Sequence, residues 1–259
     1  MQNKHEKRSP LKALPLRHPG QSLEEKFYDT LYGEIMLRAL FIFFIFTIAV
    51  YDWSRVYLNA RPQPLWWFMI GVIVTAIFFK DFKRYWRELR NLQLGIDGEQ
   101  IVGQSLEELV KKGYKVFHDI VNEGFNIDHI LVGPGGVFTI ETKTVSKSLK
   151  GHPSISFDGT KIKIDGFAPD RDPITQVKGQ VYWLENFITE NAKIKVKVRP
   201  VVVYPGWYVN QTSPNPDIWV LNEKALLSYL ANEKTSINDE QINLISSHLE
   251  SYIRRYKRV

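Results

Sequence analysis

The chain has 259 residues, no cysteine and a formal net charge of +6 at pH 7. Its length allows one or two domains. The absence of cysteine excludes disulfides, thiolate zinc sites and cysteine nucleophiles, and it fits a reducing compartment. The modest positive charge is compatible with nucleic acid or anionic lipid as a partner and does not choose between them.

Residues 1–34 are interpreted as a basic cytoplasmic tail. Their first part, to about residue 22, is polar and is interrupted by Pro10, Pro15 and Pro19. A segment of this composition buries too little apolar surface to fold by itself. We therefore expect it to be disordered or to be held loosely at a lipid surface.

Two apolar runs follow, at residues 39–51 and 65–79. A helix that spans a bilayer needs about 20 apolar residues, so both runs are short by themselves. Flanking side chains such as Arg38 and Trp66 suit the membrane interface and extend both runs. We predict a two-helix transmembrane hairpin at residues 35–79. The alternative is a pair of buried core helices, or a re-entrant pair.

The distribution of lysine and arginine predicts how the hairpin is oriented. Both of its flanks are basic, whereas the link between the two runs has only Arg55 and Arg61. The positive-inside rule then places both termini and the C-terminal domain in the cytoplasm, as a two-pass protein of the inner membrane. Residues 80–94 are predicted to form a basic juxtamembrane helix. Its basic side chains are Lys80, Lys83, Arg84, Arg87 and Arg90.

Residues 95–259 are predicted to form one domain of the α/β class. Apolar residues recur with helical spacing in some segments and with strand spacing in others. The predicted helices are 97–112, 173–191, 222–232 and 238–257, and the predicted strands are 114–119, 127–132, 137–144, 155–157, 162–164, 195–204 and 218–221. This order of elements implies a mixed sheet flanked by helices.

Charged side chains interrupt two of these strands. Glu141 and Lys143 are two residues apart and therefore point to the same side of their strand. Asp128 lies on the preceding strand, beyond a tight turn at residues 133–136, and can lie opposite this pair. Burying such charges in an apolar sheet is costly unless they pair or hold a metal ion. Two hard oxygen ligands beside a lysine suit Mg²⁺ and a phosphate ester, and a structural ion pair is the alternative.

This pattern resembles the D…ExK arrangement of the PD-(D/E)xK nuclease superfamily. Its wider context is similar to the nuclease-related domain (NERD) family, over about residues 95–191 and a further strand at 195–204. The matching pieces, in order, are Gly95-Ile96-Asp97-Gly98-Glu99, Ile127-Asp128-His129-Ile130, Gly135-Gly136, Ile140-Glu141-Thr142-Lys143 and Pro173-Ile174-Thr175-Gln176. The chain departs from the family pattern after the lysine, where Thr144-Val145-Ser146 replaces an aromatic residue and Gly151 comes late. The resemblance implies a restriction-endonuclease-like α-β-β-β-α-β core.

The resemblance also implies a metal site. Asp128, Glu141 and the backbone carbonyl of Thr142 would bind Mg²⁺ or Mn²⁺, and Glu99 would complete the ligand shell directly or through water. The metal would polarise the scissile phosphate and acidify a bound water. For Glu99, the alternative is an ordinary surface acid.

Two further side chains have roles implied by the resemblance. Lys143 would position the attacking water or stabilise the charge that develops on the phosphate. Gln176 would orient water or phosphate, although it could equally be an ordinary side chain at the start of a helix. Gln180, one turn further on, is a weaker candidate. His129 points away from Asp128 and is expected to be a packed or hydrogen-bonded histidine, and His118 and His152 have no partner at metal-ligand spacing.

The resulting hypothesis is a membrane-anchored, metal-dependent protein of the nuclease type that hydrolyses nucleic-acid phosphodiesters, with DNA favoured over RNA. The alternative is a catalytically inactive module at the membrane that binds nucleic acid or a partner. Besides nucleic acid and the lipid bilayer, we consider a second copy of the chain or another protein as a partner of the hairpin.

Overall fold

We describe a computed structural model over residues 15–55, 64–147, 153–213 and 216–256. The chain divides into two compact units, one formed by residues 22–96 and the other by residues 97–259 together with the segment that precedes residue 22. Three predictions lie wholly or partly outside the described residues. They concern the start of the tail, the link with Arg61, and the loop with Gly151 and His152.

The first unit is helical. Helix α1 (Gln21–Asp29) continues through a π-helical segment (Thr30–Met36) into α2 (Leu37–Ser54), and α3 spans Pro64–Val110. Helix therefore begins at Gln21, close to the predicted end of disorder at about residue 22 and within the predicted tail of residues 1–34.

Helix α3 is longer than predicted. It joins the second apolar run, the juxtamembrane helix and the helix predicted at 97–112 into one helix of 47 residues. The prediction placed a domain boundary between residues 94 and 95, but the helix continues through it, because a glycine inside a helix costs only about 1 kcal/mol. Leu23 also packs against this glycine, since a β-carbon there would lie 2.8 Å from the Leu23 side chain. The glycine therefore serves packing and does not end the helix.

Two helical stretches are long and apolar enough to cross a membrane, Gln21–Ser54 and Leu65–Val110. In α2 only Ile45, Ala49 and Asp52 are buried, whereas Phe43 is 70% exposed. The alternative of two buried core helices is therefore wrong for the part of the chain that the structure describes.

The second unit contains eight strands among its described residues. They are β1 (Lys115–Asn122), β2 (Phe125–Gly133), β3 (Gly136–Thr142), β4 (Ile155–Phe157), β5 (Ile162–Ile164), β6 (Val198–Val203), β7 (Val209–Gln211) and β8 (Trp219–Leu221). Five form a sheet in the order β1-β2-β3-β6-β8, which is antiparallel up to β3 and parallel beyond it. The others form a small sheet in the order β5-β4-β7, of which β7 was not predicted.

Helices cover both faces of the large sheet. They are the end of α3, α4 (Pro173–Ala192), α5 (Glu223–Ala231) and α6 (Asp239–Tyr256). Ile130 packs in one apolar cluster with Leu184 of α4 and Ile245 of α6. The next residue, Leu131, packs in another cluster with residues of α3 and α5. This mixed, helix-flanked sheet confirms the predicted α/β class and the α-β-β-β-α-β order.

Candidate active site

The turn between β2 and β3 sets the register that builds the site. Gly133 pairs with Gly136, and the ladder continues to His129 and Ile140. One further step of this register places Asp128 opposite Glu141. The turn requires glycine at both ends, because Gly136 has a φ of 123° and a β-carbon on Gly133 would lie 2.1 Å from the Tyr114 ring.

Asp128 is tied to the strand that carries Glu141. Its Oδ2 accepts a hydrogen bond of 2.7 Å from the backbone N–H of Thr142. Loss of hydration raises the pKa of Asp128 well above its usual range, and repulsion from Glu141 and Glu99 adds to this increase. The three acids are therefore close enough to act on one another electrostatically.

Glu141 is buried in the centre of the sheet, and both of its oxygens have a donor. Lys143 Nζ donates to Oε1 over 2.6 Å, and Gln180 Nε2 donates to Oε2 over 2.5 Å. All residues of β3 are buried, since the strand has neighbours on both sides and helices on both faces. Glu141 is therefore shielded from solvent, and its hydrogen bonds come from Lys143 and Gln180.

Helix α4 supplies two glutamines to the pair on β3. Gln176 and Gln180 are four residues apart and so lie on the same face of the helix. Gln176 Oε1 accepts from Lys143 Nζ over 2.9 Å, and Gln180 also donates to the Asn126 carbonyl over 3.1 Å. Gln180, the weaker candidate from the sequence, thus contacts Glu141 directly. Its helical spacing from Gln176 was the signal for this role.

Glu99 reaches the same region from α3. A β-carbon on Gly98 would lie 1.9 Å from the Thr144 side chain, so only glycine allows the helix to pass this close to the end of β3. Glu99 is 6% exposed, which rules out the alternative of a surface acid, and its Oε2 accepts from Gly20 N–H over 2.9 Å. Burial, followed by repulsion from Asp119, raises the pKa of Glu99 to about 8.

Asp119 is a fourth acid, which the sequence did not identify. The register pairs His118 with His129 and Ile120 with Ile127, so Asp119 lies opposite Asp128. It is buried, has a φ of 49° and forms an ion pair of 2.6 Å with Arg17. A signal was present in the sequence, because Asp119 ends the predicted strand that precedes the Asp128 strand.

His129 has the packing role that the sequence predicted. It is fully buried, and its two ring nitrogens lie 2.9 Å from His118 Nδ1 and 3.3 Å from Thr142 Oγ1. Burial lowers the pKa of His129 well below its usual range, and the charge of His118 adds to the effect. This histidine therefore connects β1, β2 and β3 behind the acidic residues.

The residues of the site fit a divalent cation only in part. Four carboxylates, those of Glu99, Asp119, Asp128 and Glu141, face two cationic side chains, Lys143 and Arg17. Hard carboxylate oxygens of this kind suit a divalent ion, whose binding would have to displace the protons that the raised pKa values of Glu99 and Asp128 favour. Among the described residues, however, no group of three acids or histidines is arranged to hold a metal. The described acids therefore offer at most two carboxylates to any one ion.

The fold and the site together define an α/β protein with a restriction-endonuclease-like core and an acidic site at its central strands. Residues 94–205 match the family model of NERD, the nuclease-related domain. Residues 94–205 are therefore similar to a nuclease-related domain, and two helices that are long and apolar enough to span a membrane begin before them. No curated protein and no solved structure matches the chain significantly. Glu99, Asp128, Glu141, Lys143 and Gln176 all fall within the matched residues.

Proposed function

We propose that this domain hydrolyses phosphodiester bonds in nucleic acid, DNA rather than RNA, with Mg²⁺ or Mn²⁺ as cofactor. The observation that carries the proposal is the meeting of Asp128 and Glu141 on adjacent strands, with Lys143 bonded to Glu141 over 2.6 Å. Two acids and a lysine in an otherwise apolar sheet have a large desolvation cost, which a catalytic role explains.

The ligands that we assign to the cation are Asp128, Glu141 and the backbone carbonyl of Thr142, with Glu99 acting directly or through water. A bound divalent ion would polarise the phosphate and acidify water at the site. The hydrogen bond from Thr142 N–H holds the Asp128 carboxylate beside β3. Gln180 fixes the carboxylate plane of Glu141 from the other side.

Lys143 is assigned to the substrate. Its ammonium is held between Glu141 and Gln176, so it has a fixed position next to the metal-ligating oxygen. A fixed positive charge there would stabilise the negative charge that develops on the phosphate oxygens during attack by water. Gln176 would orient Lys143 and, once substrate is present, water or phosphate.

The test uses the full chain in nanodiscs with Mg²⁺ or Mn²⁺ and single-stranded DNA, double-stranded DNA and RNA substrates. Glu141→Gln and Lys143→Met should each lower kcat by at least about 100-fold, because each removes a group that acts on the transition state. Glu190→Gln is the matched control, since Glu190 is exposed on α4 far along the helix from Gln176. Equal turnover in the wild type and in Glu141→Gln would rule the proposal out.

We further propose that α2 and α3 anchor the domain on the cytoplasmic side of the membrane. The exposed apolar side chains of α2 need an apolar surrounding, and the basic flanks follow the positive-inside rule. Since the chain has no cysteine, single-cysteine variants report topology directly. In intact spheroplasts, a membrane-impermeant maleimide should label Asn59→Cys and not Ser247→Cys. The reverse pattern would contradict the orientation.

One observation favours a second candidate, a non-cleaving module that binds nucleic acid at the membrane. Both oxygens of Glu141 are already hydrogen-bonded, and the described residues offer no complete side-chain metal site. Such a module would show salt-dependent binding that survives replacement of Asp128 and Glu141, without any turnover. Loss of turnover together with retained binding in Glu141→Gln would instead support the enzyme.

A further inference from the structure

Residues 15–20, which precede α1, lie against the nuclease-related domain and contact its acidic residues. We call them the N-terminal strap. Leu16 packs against the apolar cluster beneath α4 and α6. Arg17 pairs with Asp119, and Gly20 N–H donates to Glu99. The strap therefore contacts two acids of the candidate site from a part of the chain about 80 to 100 residues away.

A tight turn directs the backbone of the strap at Glu99. Gln21 N–H donates to the His18 carbonyl over 3.3 Å, and Gly20 has a φ of 77°. Proline at the second position and glycine at the third are the residues that a type II turn requires. A side chain at residue 20 would strain this turn and displace the donor from Glu99.

This turn packs against Gly103 of α3. A β-carbon on Gly103 would lie 2.5 Å from Pro19 Cγ, so only glycine leaves room for the proline ring. Gly103 lies one helical turn beyond Glu99, on the same helix. Gly103 and Glu99 thus lie on one surface of α3, and the strap covers this surface.

Arg17 places a positive charge directly beside Asp119, at 2.6 Å. The side chains of Arg17 and Asp119 are only 12% and 2% exposed, so this ion pair is shielded from solvent. Asp119 is also the acid whose charge acts most strongly on Glu99. Fixing Asp119 therefore fixes the electrostatic environment of Glu99.

We propose that the strap is a positioning element of the active site, in which Arg17 holds Asp119 and Gly20 N–H holds Glu99. This inference rests on the proposed nuclease function. Arg17 acts through the two acids and does not touch the substrate. A chain that begins after the strap would fold its sheet but would hold Glu99 loosely, and turnover would fall.

The experiment compares variants of the full chain in nanodiscs. Gly103→Ala should undock the strap without removing any polar group, and alanine favours the helix. Gly179→Ala is the matched control, because nothing lies within 4 Å of a β-carbon at that helical glycine. Arg17→Ala tests the charge, Arg17→Lys should restore part of its effect, and Arg255→Ala controls for loss of an exposed arginine.

We expect Gly103→Ala and Arg17→Ala to lower kcat about tenfold or more with little change in KM, because a misplaced ligand slows the chemical step. The Gly179→Ala and Arg255→Ala controls should keep wild-type kcat. Wild-type or higher kcat in both Gly103→Ala and Arg17→Ala would overturn the proposal, since a strap that merely covers the site would release activity when it undocks.

Two readouts separate this inference from the proposed function. Hydrogen exchange of the peptide that contains Gly20 should be slow in the wild type and fast in Gly103→Ala, and fast exchange in the wild type would overturn docking. If the wild type has no turnover, the proposed function fails. The positioning role of the strap is then tested by the Mn²⁺ affinity of the variants relative to that of the wild type. Affinity about tenfold weaker in Gly103→Ala and Arg17→Ala would support positioning, and unchanged affinity would overturn it.

Discussion

Gln180 donates its side-chain amide to Glu141 over 2.5 Å, from one helical turn beyond the glutamine that accepts from Lys143. One face of α4 therefore holds both members of the Glu141-x-Lys143 pair. A carboxylate this deeply buried keeps its position only when each oxygen has a donor. The helix is thus part of the site and not only a cover for the sheet.

Replacing Gln180 by methionine, which has a similar length and no donor, should destabilise the domain and reduce turnover. Glu141 Oε2 would lose its donor, and a buried acceptor without a partner costs about 1 to 3 kcal/mol. Thermal unfolding and nuclease assays of the full chain measure the two effects. Tyr182→Ala is the control, because Tyr182 is 71% exposed on the same helix. An unchanged melting temperature for Gln180→Met would contradict the role assigned to this hydrogen bond.

The raised pKa of Glu99, about 8, predicts how stability depends on pH. The folded chain keeps a proton that the unfolded chain releases near pH 4. The contribution of the protonated Glu99 to the free energy of unfolding is therefore complete below about pH 4 and is lost as the pH rises toward 8. Glu99→Gln stays neutral throughout, so its melting temperature should fall less between pH 5 and pH 8 than that of the wild type. The scans are done in EDTA, with Glu190→Gln as control, and parallel curves for wild type and Glu99→Gln would refute the expectation.

For the buried pair of His118 and His129 we predict the opposite dependence of stability on pH. His129→Leu removes the contacts with His118 and Thr142 and should cost about 1 to 3 kcal/mol at pH 7. Because the pKa of His129 is lowered, the wild type loses stability as the pH falls below about 6.5. The difference in the free energy of unfolding between the wild type and His129→Leu should therefore be smaller at pH 5 than at pH 7, as measured by chemical denaturation. A gap that widens on acidification would show that His129 is charged in the folded state.

The site also depends on the start of α4, which positions Gln176. Asp172 caps this helix by accepting from Ile174 N–H over 3.1 Å and from Thr175 N–H over 3.3 Å. Loss of such a cap costs about 1 kcal/mol, so Asp172→Ala should lower stability by about that amount. Gln176 lies in the first turn, so turnover should also decrease. Asp170→Ala removes an exposed acid from the preceding loop and should change neither property, whereas equal effects of the two variants would argue against capping.

Local patterns in the sequence were enough to predict most of the sheet and the central pair of the site. Side chains alternate along a strand, and a short glycine-rich turn fixes the register of its two neighbours, so Asp128, Glu141 and Lys143 could be placed together. Helical spacing likewise placed Gln176 and Gln180 on one face. Both patterns act over only a few residues of chain, so they are visible in the sequence alone.

The remaining features depend on contacts between distant parts of the chain. The continuity of α3 through Gly95, the pairing of β7 with β4, and the strap on Glu99 and Asp119 have no local signature. A glycine permits a helix break but does not impose one, and Leu23 packs against Gly95 where the helix continues. The residue types in the sequence determined which groups the site could contain. Only tertiary packing decided that an arginine and a glycine from the N-terminal segment would meet its acids, because the energy of a buried charge depends on what the fold brings beside it.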